Sequence, residues 1–265
     1  MIKKGEIHLW FVEDENIRDP ELIRNYHCLL SLEEADRQRR FYFEKNRHQY
    51  LITRALVRAA LSYYTDSNIK PSEWVFVKNR YGKPSIANHG YESSLSFNLS
   101  HSDNMVVLAV TNGQEVGVDV ESLSGGREAM EVIDGFFSAR EVAQLRACPE
   151  GAQIERFFDL WTLKEAYIKA RGMGLSIPLD HFSFEFTPAG GITISFTSEL
   201  DDQPKDWQFW QIQPSSAHKA AVAIKPSLSE PFYELYMNHV IPMRQMQAVD
   251  FPVFRQSVKL ASHSV

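Results

Sequence analysis

The stretch VGVDVE at residues 116–121 alternates small or aliphatic side chains with acidic ones. This alternation predicts a β-strand, in which successive side chains leave opposite faces. Asp119 and Glu121 would then share one face, while the valines between them point into a core. Two carboxylates about 7 Å apart repel each other by roughly 2 kcal/mol at an effective dielectric of ~20. A hard cation such as Mg²⁺ or Mn²⁺ would relieve that repulsion. The alternative is the solvated face of an ordinary hairpin strand.

A second stretch, WTLKEAYIK at 161–169, belongs to a segment with helical periodicity from about 152 to a terminating Gly172. Its wide apolar surface indicates a largely buried helix. Glu165 and Lys169 continue the stripe of Trp161 at four-residue steps, and a buried carboxylate needs a partner or a metal. The alternative is a local Glu–Lys pair within the helix, which contributes only a few tenths of a kcal/mol.

Strand and helix patterns recur in a similar order on both sides of residue 103. Predicted strands lie at 7–12, 73–77, 95–99, 105–111, 116–121, 181–187, 191–197, 207–212 and 219–224. Predicted helices begin at Ser31, Asn46, Ser138 and about residue 152. Asn112-Gly113 predicts a hairpin that returns through 116–121.

This order predicts an α+β fold of two similar lobes. We expect an N-terminal α+β lobe over 1–103, a C-terminal α+β lobe over 104–225, and a C-terminal extension over 226–265. The extension is rich in aromatic residues and methionine and shows no clear periodicity.

A basic cluster surrounds the aromatic residues 41–43 in this otherwise acidic chain. Its members are Arg37, Arg39, Arg40, Lys45 and Arg47. A charged helix face is usually just solvated, but in an acidic protein such a patch is a candidate phosphate-binding site. The turn RYGKP at 80–84 offers Gly82 for close backbone approach and Lys83 for charge, or is an ordinary turn.

The run NLSHS at 98–102 ends a predicted strand with small hydrogen-bonding side chains and one imidazole. Ser100 and His101 are candidate phosphate contacts, although a single histidine is more often structural. The chain contains no Walker-type phosphate loop, no GxGxxG motif and no GxSxG motif.

Composition excludes several broad classes. A net charge of −6 over 265 residues argues against a general nucleic-acid binder. The two cysteines, Cys28 and Cys148, are too few for a disulfide framework and lack metal-ligand spacing, which favours a reducing compartment. We find no signal peptide and no run approaching the ~20 apolar residues of a membrane helix. The sequence therefore predicts a soluble, cytoplasmic protein.

Together these motifs resemble one family, the phosphopantetheinyl transferases of the surfactin-synthetase-activating (Sfp) type. The resemblance covers about residues 7–225. It rests on RFY at 40–42, YGKP at 81–84, FNLSHS at 97–102, GVDVE at 117–121, FFSARE at 136–141 and WTLKEAYIK at 161–169.

The resemblance implies a pseudo-dimer of two α+β lobes with the active site, and coenzyme A as substrate, in the cleft between them. It implies that Asp119, Glu121 and Glu165 hold Mg²⁺. Lys169 would lie against the attacked phosphate, with Lys164 close by, and Ser100 and His101 would contact phosphates. Arg37, Lys45 and Lys83 would hold the 3′-phosphate and adenine end. Glu34 and Gln49 stand where some relatives carry basic residues.

The implied reaction moves the phosphopantetheine arm to a serine of an apo acyl or peptidyl carrier protein. Asp119, Glu165 and Lys169 would be catalytic, with Glu165 as the base, and the two-lobed fold favours a monomer. Two rival functions remain open at this point. One is a metal-dependent nucleotide or phosphodiester hydrolase, and the other is a nucleotide- or carrier-binding module without catalysis.

Overall fold

The computed structural model describes residues 2–65, 68–92, 94–124, 126, 130 and 133–257. The strands are β1 (Glu6–Glu13), β2 (Phe76–Lys78), β3 (Pro84–Ile86), β4 (Ser96–Ser102), β5 (Met105–Thr111), β6 (Val116–Ser122), β7 (Phe182–Phe186), β8 (Gly191–Phe196), β9 (Gln208–Ser215), β10 (His218–Ile224), β11 (Glu234–Ile241), β12 (Gln245–Val249) and β13 (Val253–Ser257). The helices are α1 (Pro20–His27), α2 (Leu32–Arg40), α3 (Glu44–Tyr64), α4 (Ile133–Phe136), α5 (Ala139–Ala147) and α6 (Glu150–Arg171). Within these described ranges, no helix is long and apolar enough to cross a bilayer.

The chain forms two main sheets with a repeated topology. The first has the order β12-β11-β1-β5-β4 and the second β6-β10-β9-β13-β8-β7. In the first lobe β1 pairs antiparallel with β5, which pairs antiparallel with β4. In the second, β6, β10 and β9 repeat that arrangement. Each lobe adds a long helix, α3 or α6, and a further two-stranded hairpin, β2–β3 or β7–β8. The α+β fold of two similar lobes is therefore confirmed.

Three apolar clusters form the core of the protein, one in each lobe and one between the lobes. The central cluster contains alternate residues of β1 and β6, for example Leu9 and Val118, and lies between the two sheets. The other faces of the sheets pack against helices, with Trp10 of β1 in the first-lobe cluster and Ala221 of β10 in the second. Because strand side chains alternate between faces, each central strand serves two cores at once.

Helix boundaries follow local side-chain chemistry in three places. Ser31 and Ser138 each form a capping box, with Glu34 and Glu141 respectively. Gly172 ends α6 in the left-handed conformation, at φ +65°. Asn46 was the wrong start for α3, which begins at Glu44 without a side-chain cap.

The hairpin predicted at Asn112-Gly113 is wrong. Gly113 does adopt a positive φ of 73°, yet β5 joins the first sheet and β6 joins the second. An Asn-Gly pair specifies a tight change of chain direction, but it does not specify the partner of the next strand. The change of sheet thus falls between 111 and 116. The predicted domain boundary at 103/104 lies in the β4–β5 turn, and as a division into domains it stays a prediction.

Three strands between residues 234 and 257 add to both sheets. Strand β11 pairs in parallel with β1, and β12 extends that edge. Strand β13 lies between β8 and β9 of the second sheet. The Tyr26 hydroxyl donates to the Pro242 carbonyl at 2.7 Å, which ties the β11–β12 turn to α1.

Candidate active site

Helix α6 lies unusually close to β6 because Gly117 has no side chain. A Cβ atom there would stand 2.0 Å from the Ala166 carbonyl oxygen and 2.4 Å from the Ala170 nitrogen. Gly117, Asp119 and Glu121 share the face of β6 that is turned toward this helix. The glycine therefore sets the distance at which the acidic residues of the strand meet the polar residues of the helix.

The edges of the two sheets meet through side chains of β4. The Val118 N–H donates to Asn98 Oδ1 at 2.9 Å. Ser100 Oγ donates to Asp119 Oδ1 at 2.9 Å, and Ser102 Oγ donates to Glu121 Oε2 at 2.8 Å. Polar residues at every second position of β4 thus bind the strand that carries the two carboxylates, so the acidic pair lies at the junction of the lobes.

Lys169 of α6 reaches this junction. Its ammonium donates to Asp119 Oδ1 at 2.6 Å and to Ser100 Oγ at 2.8 Å. Asp119 is only 2% exposed, so it does not lie on a solvated strand face. The local Glu–Lys pair considered for the helix is not formed either, because the carboxylate partner of Lys169 is on β6 rather than at Glu165.

Glu165 lies half-buried beside the other two carboxylates. Burial raises its pKa to about 7, and the charge of Asp119 adds to this rise while Lys169 opposes it. Burial and Asp119 also raise the pKa of Glu121, whose Oε1 accepts from Trp161 Nε1 at 3.2 Å. The site thus concentrates three carboxyl groups around one ammonium, which is the electrostatic arrangement that a cation would relieve.

Asp119, Glu121 and Glu165 lie close together, but their oxygens are not arranged to chelate a metal ion. Among the described residues, no three His, Cys, Asp or Glu side chains are arranged to hold a metal ion. Lys169 and Ser100 occupy one oxygen of Asp119, and Ser102 and Trp161 occupy both oxygens of Glu121. Asp119 Oδ2, however, is buried without a partner. This orphaned oxygen and the Glu165 carboxylate are hard donors, so the chemistry of the site fits Mg²⁺.

The remaining predicted contacts of the first lobe come from β4, α3 and α2. His101 is an exposed residue, yet the protein around it desolvates its imidazole, and this desolvation together with the Lys169 charge lowers its pKa. The Lys45 ammonium pairs with Asp103 Oδ1 at 2.6 Å in the β4–β5 turn, next to Ser102. Arg37 is exposed on α2, and its Cζ stands 5.7 Å from the centroid of the Tyr50 ring.

Lys83 joins the lobes through backbone groups. Its ammonium donates to the Ala170 carbonyl at 2.8 Å, and burial lowers its pKa. Asn79 of the same turn donates to the Gly172 carbonyl at 2.7 Å. The RYGKP turn therefore holds the C-terminal end of α6, and the charge of Lys83 is directed at that helix end.

The structure places Lys164 outside the carboxylate cluster, and its predicted contact with coenzyme A stays a prediction. Its side chain is 0% exposed, and its ammonium pairs with Glu141 Oε2 at 2.8 Å. It also donates to the carbonyls of Leu179 and Phe182 at 2.6 and 2.7 Å. Lys169 is five positions further along the chain, which is about 140° around a helix. The two lysines therefore serve opposite sides of α6, and Lys164 stabilises the core of the second lobe.

Sequence reasoning did not assign roles to Asn98, Ser102 or Trp161. The structure gives each of them a hydrogen bond to β6 or to one of its carboxylates. A signal was present in NLSHS at 98–102, where polar residues stand at every second position. That period matches GVDVE, but only pairing information could have shown that the two strands meet.

Two family models match this chain. One, described as the 4′-phosphopantetheinyl transferase superfamily, matches residues 115–224. The other, described as the N-terminal part of 4′-phosphopantetheinyl transferase, matches residues 19–113. The boundary between the two matches, at 113–115, falls where the chain passes from β5 of the first sheet to β6 of the second.

Similar proteins carry the same description. The chain is 32% identical over 220 residues to 4′-phosphopantetheinyl transferase HetI of Nostoc sp., covering 83% of this chain and 87% of the relative. It is 32% identical over 202 residues to 4′-phosphopantetheinyl transferase Sfp of Bacillus subtilis, covering 76% and 85%. A solved ACPS–CoA complex of Chronobacterium ammoniagenes is 16% identical with a TM-score of 0.35, covering 43% of this chain and 98% of that one. The extent of the HetI match, with both family models, establishes that the chain is an enzyme of the 4′-phosphopantetheinyl transferase superfamily.

Proposed function

We propose that this enzyme transfers the 4′-phosphopantetheine arm of coenzyme A to a serine of an apo acyl or peptidyl carrier protein, with Mg²⁺ or Mn²⁺ as cofactor and 3′,5′-ADP as the second product. The observation that carries the proposal is the cluster of Asp119, Glu121 and Glu165 with Lys169 where the two sheets meet. When bound, Mg²⁺ would offset the charge of the diphosphate. Asp119 Oδ2 and Glu165 are the residues with oxygens free to hold it.

In the proposed reaction the serine Oγ attacks the β-phosphorus of coenzyme A. The bond from that phosphorus to the bridging oxygen breaks, and 3′,5′-ADP leaves with the electron pair. Lys169 would stabilise the charge that develops on the phosphoryl oxygens, since its ammonium is already fixed by Asp119 and Ser100. Positioning and charge stabilisation supply most of the catalysis of phosphoryl transfer.

Glu165 is the proposed base. A pKa of about 7 places its titration near neutral pH, where a general base is most effective. It would take the serine proton either directly or through one water molecule. Glu165→Gln is expected to lose turnover while still binding coenzyme A. Near-normal turnover would rule out the base role, and Glu150→Gln, in the exposed first turn of the same helix, is the matched control.

The coenzyme would lie along the junction, with its phosphates near Ser100 and His101. Arg37 and Lys45 have exposed side chains and are the proposed contacts of the 3′-phosphate and adenine end. Lys83 would act there mainly by positioning its turn, because its ammonium already binds the end of α6.

Carrier proteins are usually acidic around the modified serine, and this chain has a net charge of −6. Docking would therefore need a local basic strip or mainly apolar contact. The acceptor class would be a carrier of fatty-acid, polyketide or nonribosomal-peptide synthesis. We further propose a cytoplasmic monomer.

The experiment is incubation with coenzyme A, Mg²⁺ and a panel of apo-carrier proteins. Mass spectrometry would detect a carrier that has gained the arm, about 340 Da. The metal-free reaction with a chelator is the control. Hydrolysis of the coenzyme without any acceptor would favour the hydrolase, and coenzyme binding without turnover would favour the non-catalytic module.

A further inference from the structure

A cavity of about 420 Å³ lies in the C-terminal lobe and shares no residue with the carboxylate cluster. The end of α5, the first turns of α6, the β7–β8 turn and β13 enclose it. Its lining includes Gln144, Cys148, Arg156, Phe186, Gly190 and Arg255. The volume is within the range of small-molecule sites.

Two guanidinium groups approach the same aromatic ring in this cavity. Arg156 Cζ stands 4.7 Å and Arg255 Cζ stands 4.3 Å from the centroid of the Phe186 ring. Stacking of this kind fixes the plane of a guanidinium, so its donors are held in one direction. Both guanidinium groups therefore line the cavity beside the Phe186 ring.

The two arginines differ in how their charge is balanced. Arg255 pairs with Asp159 Oδ2 at 2.9 Å and donates to Gln211 Oε1 at 2.9 Å. Arg156 is half-buried, and within the part of the chain that the structure describes its guanidinium forms no ion pair or hydrogen bond. Its neighbour Glu155 instead pairs with Lys219 at 2.9 Å. The charge of Arg156 is felt by the nearby Glu155 carboxylate, but the N–H groups of this half-buried guanidinium make no direct contact, and a bound anion would accept hydrogen bonds from them.

We propose that this cavity binds a small molecule through a phosphate group held between Arg156 and Arg255. Guanidinium forks match phosphate oxygens in bidentate geometry. Two guanidinium forks approach a ligand from two directions, and a phosphate group presents three or four oxygens to them where a carboxylate presents two, which favours phosphate. A phosphate group fills only part of the cavity and leaves room for an attached organic group.

The C-terminal strands complete this site. Arg255 comes from β13, which lies beyond residue 224, where the superfamily match ends. The strand is anchored between β8 and β9, and its Arg255 is held by Asp159 of α6. The site therefore depends on a part of the chain that lies outside the matched transferase region.

The chain provides its own reporter for a test. Cys148 lines the cavity, whereas Cys28, the other of the two cysteines, is exposed in the first lobe. The full chain is treated with the neutral reagent iodoacetamide, and mass spectrometry follows both cysteines in one sample. Inorganic phosphate is the probe, with sodium chloride and sodium acetate at equal ionic strength as controls. Phosphate is expected to slow alkylation of Cys148 several-fold and to leave Cys28 unchanged.

Two arginine variants test whether Arg156 binds the phosphate that protects Cys148. Arg156→Gln removes one charge-assisted hydrogen-bonding group for phosphate. The phosphate concentration that gives the same protection of Cys148 should therefore rise by about tenfold or more. Arg146→Gln is the matched control, because that exposed arginine pairs with Asp134 outside the cavity. Thermal denaturation checks that both variants fold. Equal protection in Arg156→Gln, protection by acetate as strong as by phosphate, or no effect of phosphate on Cys148 would each overturn the proposal.

Discussion

The two lobes repeat one topology but use the interface between the long helix and the first strand in different ways. In the first lobe Trp10 and Val12 of β1 face the helical side and belong to an apolar core with α3. In the second lobe the corresponding face of β6 carries Asp119 and Glu121, which meet Glu165 and Lys169 of α6.

The comparison shows that the same helix–strand interface stabilises one lobe and carries the reactive groups of the other. An apolar helix–strand interface stabilises the first lobe through burial. The same interface in the second lobe gathers Glu121 and Glu165, whose pKa values rise because burial and the charge of Asp119 disfavour their ionised forms. Such locally unfavourable arrangements are typical of functional sites, and the surrounding fold must compensate for them.

The largest effect should come from removing the central carboxylate. Asp119→Ala is expected to lower metal-dependent transfer by about 10³-fold, since a cation at such a site contributes several kcal/mol. Transfer to an apo-carrier is measured against Mg²⁺ concentration. Asp134→Ala, an exposed aspartate paired with Arg146, is the control. Unchanged metal dependence in Asp119→Ala would defeat the site assignment.

The spacing of helix and strand in the second lobe depends on Gly117. Gly117→Ala would force a Cβ into backbone atoms of α6, so we expect a loss of about 3 kcal/mol in the free energy of unfolding. Gly151→Ala is the matched change, because no heavy atom lies within 4 Å of its added Cβ. That variant should be neutral or slightly more stable in chemical denaturation. Equal stability of the two variants would contradict the close packing of α6 on β6.

The pH dependence of stability should distinguish the acidic interface from the apolar one. The pKa of Glu165 is raised from 4.5 to about 7, so the folded state retains this proton more strongly than the unfolded state. Without divalent cations, stability should therefore fall between about pH 4.5 and pH 7, by up to about 3 kcal/mol from this group.

Glu165→Gln removes this titration. Chemical denaturation in the presence of a chelator should show the variant gaining stability relative to the parent chain as pH rises from 4.5 to 7. A difference between the two proteins that does not change with pH would contradict the raised pKa.

The smallest effects are expected for two tryptophan substitutions, one in each lobe, which should affect different properties of the enzyme. Trp161→Phe removes the 3.2 Å hydrogen bond to Glu121 and should lower transfer by about tenfold or less. Trp10→Phe removes the 2.7 Å hydrogen bond to the Tyr64 hydroxyl and should cost about 1 kcal/mol of stability without a comparable loss of transfer. Steady-state transfer and denaturation are measured for both. If Trp10→Phe impairs transfer as strongly as Trp161→Phe, the division of roles between the lobes is wrong.

Much of the fold was predictable because its signals are local. Alternation in VGVDVE placed its valines in a core, and both Val118 and Val120 are 0% exposed. Ser31, Ser138 and Gly172 marked helix ends through short-range hydrogen bonding and backbone preference. The C-terminal strands were missed, since β11 and β13 owe their conformation to pairing with strands far away in the sequence.

The sequence by itself determined the strand and helix that carry the acidic residues, because periodicity fixes which side chains share a face. Only the tertiary structure decided that Lys164 enters a core while Lys169 reaches Asp119. It also decided that β5 and β6 belong to different sheets. The reason is physical: turn and helix preferences act over a few residues, whereas strand partners and the burial of a charge depend on contacts between distant parts of the chain.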